Sequence, residues 1–103
     1  MAKELVVSEL AKQDLDDIWN YYVERNLQET GRKLLQEIGK KFSLFLQYPE
    51  IGRQRNDFIL YLRSFAVKDY LIFYLPSDET IEIFRVVKAS RNISTLFDDM
   101  VGQ

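Results

Sequence analysis

Apolar side chains recur every three or four residues through the first half of the chain, as they do along one face of an amphipathic helix. From Glu9 to about Arg25 the recurring positions are Ala11, Leu15, Ile18 and Tyr22, and a second series runs through Leu34, Leu35, Ile38, Phe42, Phe45 and Leu46. The pattern predicts two helices, and the second is expected to end at Tyr48 because the next residue is Pro49. The short connection between them predicts antiparallel neighbours.

Residues suited to helix capping precede both series. Ser8 follows a β-prone stretch at residues 5–7 and is a good N-cap residue for the first helix. Asn26, with Glu29 three residues later, resembles the capping arrangement that begins a helix. The sequence therefore predicts a short N-terminal strand, a helix that begins after Ser8 and a second helix that begins after Asn26.

The pattern changes after the second helix. Residues 49–57 contain Pro, Gly and polar residues without periodicity and are predicted to form a loop. Three runs rich in β-branched and aromatic residues come next, with a strong turn signal at residues 76–79 between the last two. The runs are Phe58 to Phe65, Tyr70 to Leu75 and Thr80 to Val87. They predict three antiparallel strands.

These elements predict one domain that spans residues 1–103. A short C-terminal helix is expected because Ile93, Leu96 and Phe97 recur at helical spacing. The order indicates an α+β fold in which an antiparallel sheet, made of the N-terminal strand and three C-terminal strands, packs against a two-helix hairpin. The other face of the sheet then has no helical cover, and we expect a partner or substrate to bind there.

Composition narrows the chemistry that this domain can perform. Its 103 residues are 47% hydrophobic and 29% charged, as expected for a single folded domain. The chain contains no Cys and no His, which excludes thiolate and imidazole catalysis and the metal sites that need those ligands. No cofactor or metal site is expected. The longest apolar run is too short to cross a membrane and no secretory signal is found, so we expect a cytoplasmic protein.

The formal net charge of −2 hides a difference between the two halves of the chain. Residues 1–50 hold seven Lys or Arg and nine Asp or Glu, whereas residues 51–91 hold seven and five. Six cations of the second half lie in the loop before the sheet or towards strand ends. They are Arg53, Arg55, Arg63, Arg85, Lys88 and Arg91. Because guanidinium groups suit carboxylates and phosphates, we expect these side chains to converge on one surface that binds an acidic partner.

Two other interpretations of these cations stay open. They are typical of solvated charges at strand edges, where they discourage pairing between sheets of different molecules. In a second interpretation, Arg85 faces inward from its strand and has a structural role, in an ion pair with Asp57 or Asp69. The overall acidity of the chain argues against bulk binding to nucleic acid.

The first helix carries more aromatic residues than one buried face can hold. Trp19, Tyr21 and Tyr22 are too close in sequence for all three to face the core. The surplus ring either lies at the edge of the core, or Trp19 or Tyr21 lines an apolar groove that receives a helix of a partner protein.

Five segments carry a family resemblance. They are Ala11-x-x-Asp14-Leu15-x-x-Ile18-x-x-Tyr21, Pro49-x-x-Gly52-Arg53-x-Arg55, Leu62-Arg63, Tyr70-Leu71-Ile72-Phe73-Tyr74, and Ile83-Phe84-Arg85-Val86-Val87-Lys88-Ala89-Ser90-Arg91-Asn92-Ile93. Their order and spacing, over residues 5 to 97, resemble the RelE/ParE toxin superfamily and, within it, the ParE branch. The predicted order of strands and helices agrees with the fold of that superfamily.

The resemblance implies the toxin of a type II toxin-antitoxin module. Such a toxin binds DNA gyrase, blocks replication and is neutralised by a ParD-like antitoxin of the ribbon-helix-helix class. On this interpretation the protein is a binding inhibitor and not an enzyme, and the six cations contact the target or the antitoxin. Trp19 and Tyr21 become candidates for the antitoxin groove, and neither a membrane nor direct nucleic-acid binding is expected.

The RelE side of the superfamily implies a different function, the ribosome-dependent cleavage of messenger RNA. That reaction needs groups that accept and donate protons, together with cations on the phosphate. Arg63 and Arg85 are the candidate cations. Lys68 or Lys88 would have to transfer protons, because the chain has no His and no Tyr after Tyr74. A third interpretation is a decayed toxin that still binds its antitoxin.

Overall fold

The computed structural model describes residues 3–90 and residue 93. A first strand, β1 (Glu4–Val7), leads into two helices, α1 (Glu9–Glu24) and α2 (Gln28–Gln47). Four strands follow: β2 (Arg53–Gln54), β3 (Arg63–Val67), β4 (Tyr70–Pro76) and β5 (Thr80–Lys88). The α+β class predicted from the sequence is confirmed, and both helices end within one residue of their predicted ends. The predicted C-terminal helix, apart from Ile93, lies outside the described residues.

The five strands form one mixed sheet in the order β1-β5-β4-β3-β2. Neighbouring strands from β2 to β5 pair antiparallel, whereas β1 pairs parallel with β5, with Leu5 opposite Ile81 and Val7 opposite Ile83. This corrects the predicted sheet, in which every strand was antiparallel. Parallel pairing requires a long crossover between the paired strands, and the segment between β1 and β5, which includes both helices, supplies it. The predicted loop at 49–57 also contains the short edge strand β2.

Only one of the two predicted helix caps is confirmed. The Ser8 side chain accepts a hydrogen bond from the backbone N–H of Ala11 at 3.0 Å and caps α1. Asn26 instead ends α1, with a φ of 56° and a backbone N–H that donates to the Val23 carbonyl at 3.0 Å. Asn adopts this left-handed conformation more readily than most residues. Helix α2 begins after Leu27 without a side-chain cap.

The main core lies between the helix pair and one face of the sheet, as predicted. Phe45 of α2 and Tyr74 of β4 are fully buried there, and their rings stack with centroids 3.9 Å apart and planes 9° apart. The other buried members from α2 and the sheet include Leu34, Ile38, Phe42, Ile72, Ile81, Ile83 and Val86.

The opposite face of the sheet is partly covered, which corrects the expectation of an open face. Leu62, Phe73 and Val87 form a second buried cluster, against which Phe58 and Ile93 pack. Much of this cover comes from the chain just before β3, which contributes Phe58, Ile59 and Leu62.

That covering segment was predicted as the first part of a strand. Residues 58–62 instead form turns, in which the N–H of Leu62 donates to the Ile59 carbonyl at 3.0 Å, and β3 begins only at Arg63. Aromatic and β-branched residues favour a half-buried surface in general, so their enrichment here reflects burial against the sheet and not strand pairing.

Candidate functional site

Arg85 forms a buried ion pair with Asp14 of α1. Its Nε donates to Oδ2 of Asp14 at 2.8 Å and its Nη2 donates to Oδ1 at 2.9 Å, with the two side chains 11% and 8% exposed. Oδ2 also accepts the backbone N–H of Val86 at 2.9 Å, beyond the point where β1 stops pairing with β5. The structural interpretation of Arg85 therefore holds, but its predicted partners, Asp57 and Asp69, were wrong.

Arg63 and Tyr74 hold the loop that follows α2 against the sheet. Nη1 of Arg63 donates to the carbonyl oxygens of Glu50 at 3.0 Å and Gly52 at 2.7 Å. The Tyr74 hydroxyl donates to the Pro49 carbonyl and accepts from the Gly52 N–H, both at 2.8 Å. A Cβ at Gly52 would lie 2.7 Å from that hydroxyl, so the loop requires glycine there. The Pro49-x-x-Gly52 motif thus has a structural role.

Arg55 packs across the second face of the sheet. Its guanidinium carbon lies 4.7 Å from the ring centre of Phe58 and 5.5 Å from that of Phe73. Its Nη1 donates to Oγ of Ser64 at 3.4 Å, and its Nε lies 3.7 Å from the Asp57 carboxylate. Since the side chain is only 16% exposed, most of it is engaged with its own chain and a small part can meet a partner.

Arg53 and Lys88 are the exposed members of the predicted set. The Arg53 side chain lies at the β2 edge and has no ion pair or hydrogen bond within residues 3–90. Lys88 ends β5, with its Nζ 5.7 Å from the ring centre of Tyr21 and 5.9 Å from that of Tyr70. Arg91, the last member, lies outside the described residues.

The strand order separates these cations. Arg53 and Arg63 lie on β2 and β3, Arg85 and Lys88 lie on β5, and β4 runs between the two groups. Adjacent strands are about 4.8 Å apart, which puts β2 about 14 Å from β5. Because Arg85 is also buried and Arg55 packs on the second face of the sheet, the described members of the set are spread over the sheet and do not form one tight cluster.

Trp19 and Tyr21 face different sides of α1. A separation of two residues is about 200° around a helix, so one groove cannot hold both side chains. Tyr21 is 39% exposed, and its ring centre lies 3.7 Å from the guanidinium carbon of Arg25. Together with Tyr70 and Lys88 it lines a cavity of about 280 Å³. Trp19 is 36% exposed. Each remains a separate candidate for contact with an antitoxin.

Two buried tyrosines have altered acidity. Burial is the main cause that raises the pKa of Tyr70 above the usual 10.0, with smaller contributions from Tyr22, Tyr21 and Asp69. Burial also raises the pKa of Tyr74, against the opposing hydrogen bond from Gly52 and the charge of Arg63. Both hydroxyls stay protonated at neutral pH, so neither is suited to act as a general base.

The described part of the chain has neither a metal-binding cluster nor a membrane-spanning helix. Residues 3–90 and 93 contain no group of three His, Cys, Asp or Glu side chains that could hold a metal ion. Among the same residues, no helix combines the length and the apolar character that crossing a membrane requires.

A groove of about 820 Å³ lies beside the loop after α2 and was not predicted from the sequence. Its walls come from the end of α2, from β2 and β3, and from the turn between β4 and β5, and they include Tyr48, Ile51 and Tyr61. Tyr48 is 60% exposed and Tyr61 is 67% exposed. Tyr61 belongs to the segment predicted as a strand, in which side chains alternate between the two faces of the sheet, so the prediction placed Tyr61 on the same face as Arg63 and not beside a groove. A local signal was Tyr48, an aromatic residue next to the helix-ending Pro49.

Comparisons with known proteins agree with the fold. The family model described as ParE toxin of type II toxin-antitoxin system, parDE, matches residues 5–93. A solved structure described as the chromosomal ParDE TA system from P. aeruginosa matches with a TM-score of 0.71 at 21% sequence identity, and the match covers 84% of this chain and 96% of that chain.

Two curated relatives come from Caulobacter vibrioides. Toxin ParE3 is 28% identical over 81 residues, which cover 79% of this chain and 81% of the relative. Toxin ParE1 is 29% identical over 86 residues, which cover 84% of this chain and 88% of the relative. Because the family match extends from β1 to the end of the described residues, this chain belongs to the ParE toxin family of type II toxin-antitoxin systems.

Proposed function

We propose that this chain inhibits DNA gyrase by binding to it, without catalysing a reaction, and that a ParD-like ribbon-helix-helix antitoxin neutralises it. Membership of the ParE family supports the role of toxin. The similarity to a ParDE system supports a cognate antitoxin as partner. In this role the protein acts in the cytoplasm, where the chromosome is replicated.

The contacts of Arg63 and Arg85 favour an inhibitor that acts by binding over a nuclease that cleaves RNA. These are the candidate phosphate ligands of a RelE-type nuclease, and such a reaction needs its cations and proton-transfer groups around one phosphate. Arg63 donates to two backbone carbonyls and Arg85 is buried against Asp14. The two arginines also lie on strands that β4 separates. This arrangement favours structural roles for both residues.

Arg53 and Lys88 are then the cations best placed to contact a partner. Both are exposed, and they lie near opposite sides of the sheet. Exposed charges at the rim of an interface mainly steer the partners together, so they affect the association rate more than the dissociation rate. An acidic surface of gyrase or of the antitoxin would meet these charges.

The target is tested by adding the purified chain to a gyrase supercoiling assay and, separately, to a translation extract. We expect supercoiling to stop while translation continues on intact messenger RNA. Cleaved messenger RNA with normal supercoiling would replace the proposal with the RelE-type function. If neither assay responds and the antitoxin still binds tightly, the chain is a decayed toxin.

The contact residues are tested with Arg53→Ala and Lys88→Ala in a binding assay with immobilised antitoxin and with gyrase. We expect each change to slow association several-fold for at least one of the two partners, and more at low salt. Arg32→Ala is the control, since Arg32 is a 54% exposed arginine on α2 that does not belong to the predicted cationic set. Equal effects of the control and of the two variants would remove Arg53 and Lys88 from the interface.

A further inference from the structure

A cavity of about 230 Å³ lies where the turn between β3 and β4 meets the end of α1 and the beginning of α2. Two of its lining residues, Leu34 and Tyr70, are buried, with 4% and 6% of their surface exposed. The other residues that line it are Tyr22, Thr30, Lys33, Lys68 and Asp69. The volume is below the usual range for drug-sized ligands, so the cavity suits a small group of a few atoms.

The hydroxyl of Tyr70 has no hydrogen-bond partner within the described residues. Every fully enclosed polar side-chain atom of these residues has a partner, so the Tyr70 hydroxyl must contact open space although the residue is more than nine-tenths buried. Burial raises the pKa of Tyr70, and Tyr22, which lines this cavity, adds more to the effect than Tyr21, which lines the neighbouring one. The hydroxyl therefore stays protonated at neutral pH and has a proton to donate into this cavity.

Positive charge exceeds negative charge among the lining residues. Lys33 and Lys68 are exposed and form no ion pair within the described residues. The carboxylate of Asp69 is also exposed and unpaired in the same part of the chain, so two lysines and one aspartate give the lining a formal charge of +1. Glu29, in the first turn of α2, pairs with Arg32 and does not line the cavity. The cavity therefore favours an anion over a cation.

The beginning of α2 lies beside the same cavity. No side chain caps this helix, and the N–H of Gly31 donates to the Leu27 carbonyl at 3.0 Å. The backbone N–H groups of residues 28–30 have no acceptor in the part of the chain that the structure describes. Because Thr30 lines the cavity, the positive end of the helix dipole is close to any group bound there. An anion is thus favoured by the helix end as well as by the lysines.

We propose that this cavity binds a phosphate group. The hydroxyls of Tyr70 and Thr30 donate hydrogen bonds to its oxygens, and the ammonium groups of Lys33 and Lys68 balance its charge. A phosphate group offers at least three acceptor oxygens and satisfies donors from β4, α2 and the turn together, whereas a carboxylate offers two. The inference does not rest on the proposed function, and none of these residues belongs to the predicted cationic set.

The site is tested by titrating the ¹⁵N-labelled full chain with inorganic phosphate at neutral pH and constant ionic strength. We expect shift changes centred on residues 28–34 and 67–70, and weaker binding of acetate. A second titration uses glycerol phosphate. Equal or tighter binding of this monoester assigns the site to the phosphate of an organic molecule, and binding of the free ion alone assigns it to inorganic phosphate. Changes centred elsewhere, or equal binding of acetate and phosphate, would overturn the proposal.

Lysine variants test the charge of the site. Lys33→Gln and Lys68→Asn should each lower the affinity for phosphate about threefold. Asparagine suits position 68 because the φ there is 53°, a left-handed conformation that it adopts readily. Lys40→Gln is the control, since Lys40 is a 74% exposed lysine of α2 that does not line the cavity. An equal loss in the control would show a general effect of charge and contradict the site.

Tyr70→Phe and Asp69→Asn should change the affinity in opposite directions. Tyr70→Phe removes a donor and should weaken phosphate binding about tenfold, while circular dichroism stays unchanged because the hydroxyl has no partner among the described residues. Asp69→Asn removes the opposing carboxylate and should strengthen binding about threefold. The Asp69 carbonyl that accepts from the Ala89 N–H is unaffected. Unchanged affinity in Tyr70→Phe, or weaker binding in Asp69→Asn, would contradict the assignment.

Discussion

The carboxylate of Asp14 joins α1 to β5 through Arg85, although the two residues are 71 positions apart in the chain. The two guanidinium hydrogen bonds and the N–H of Val86 occupy both carboxylate oxygens. Because β1 no longer pairs with β5 at this point, Asp14 takes the place of a neighbouring strand at the edge of the sheet. The pair therefore fixes where α1 lies against the sheet.

Asp14→Ala should strongly destabilise the protein. It removes the carboxylate from a buried guanidinium and from a backbone N–H, and the expected loss in the free energy of unfolding is about 3–5 kcal/mol. Urea denaturation measures the change. Glu9→Ala is the control, because Glu9 and Lys12 form an exposed pair, and should cost less than about 1 kcal/mol. Similar losses in the two variants would contradict a structural role for the buried pair.

Tyr74→Phe should lower stability while leaving the aromatic stacking on Phe45 intact. The Gly52 N–H and the Pro49 carbonyl lose their hydrogen-bond partner, which is expected to cost about 1–3 kcal/mol. Tyr48→Phe removes an exposed hydroxyl and is the matched control, with an expected change within about 0.5 kcal/mol. Chemical denaturation of both variants gives the comparison, and a neutral Tyr74→Phe would mean that the hydroxyl does not hold the loop.

The two glycines inside α2 should respond to alanine in opposite directions. A Cβ at Gly39 meets nothing within 4 Å, so Gly39→Ala should raise stability by about 0.5–1 kcal/mol through helix propensity. A Cβ at Gly31 would lie 2.8 Å from Cβ of Tyr22 on α1, so Gly31→Ala should destabilise by about 1–3 kcal/mol through overpacking. Thermal unfolding distinguishes the two, and a change of the same sign in both variants would argue against close contact of the helices at Gly31.

Stability should fall at alkaline pH because of the two buried tyrosines. The pKa values of Tyr70 and Tyr74 are raised in the folded state, so the unfolded chain loses these protons near its ordinary pKa of 10.0 while the folded chain keeps them. The unfolded state binds fewer protons above that pH, and the free energy of unfolding then decreases as pH rises. The contribution of the two protonated hydroxyls to the free energy of unfolding is complete below pH 10.0 and is lost as the pH rises above it.

Tyr70→Phe tests this pH dependence. The variant lacks one of the two titrating groups, so its free energy of unfolding should fall less steeply above pH 10.0 than that of the parent. Urea denaturation at a series of pH values measures both slopes. Parallel slopes for parent and variant would show that burial of Tyr70 does not affect its titration.

Helix positions could be predicted from the sequence because the repeat of apolar residues is a local property. Leu34, Ile38 and Phe45 recur on one face of any helix that contains them, whatever packs against it, and all three are buried in the structure. The strands β4 and β5 could also be predicted locally, from runs of β-branched and aromatic residues. The same composition gave a wrong prediction for residues 58–62, because it indicates burial and does not distinguish a paired strand from turns that pack on a sheet.

Local order along the chain thus determined the two helices, the α+β class and the motif segments that resemble the ParE branch. The tertiary structure alone decided the direction of β1, the burial of Arg85 against Asp14, the separation of the cations and the exposure of Tyr61 beside the groove. Each of these depends on which distant segments become neighbours. A carboxylate that meets a guanidinium 71 residues away is chosen by the topology of the whole sheet, and no local pattern of residues encodes that choice.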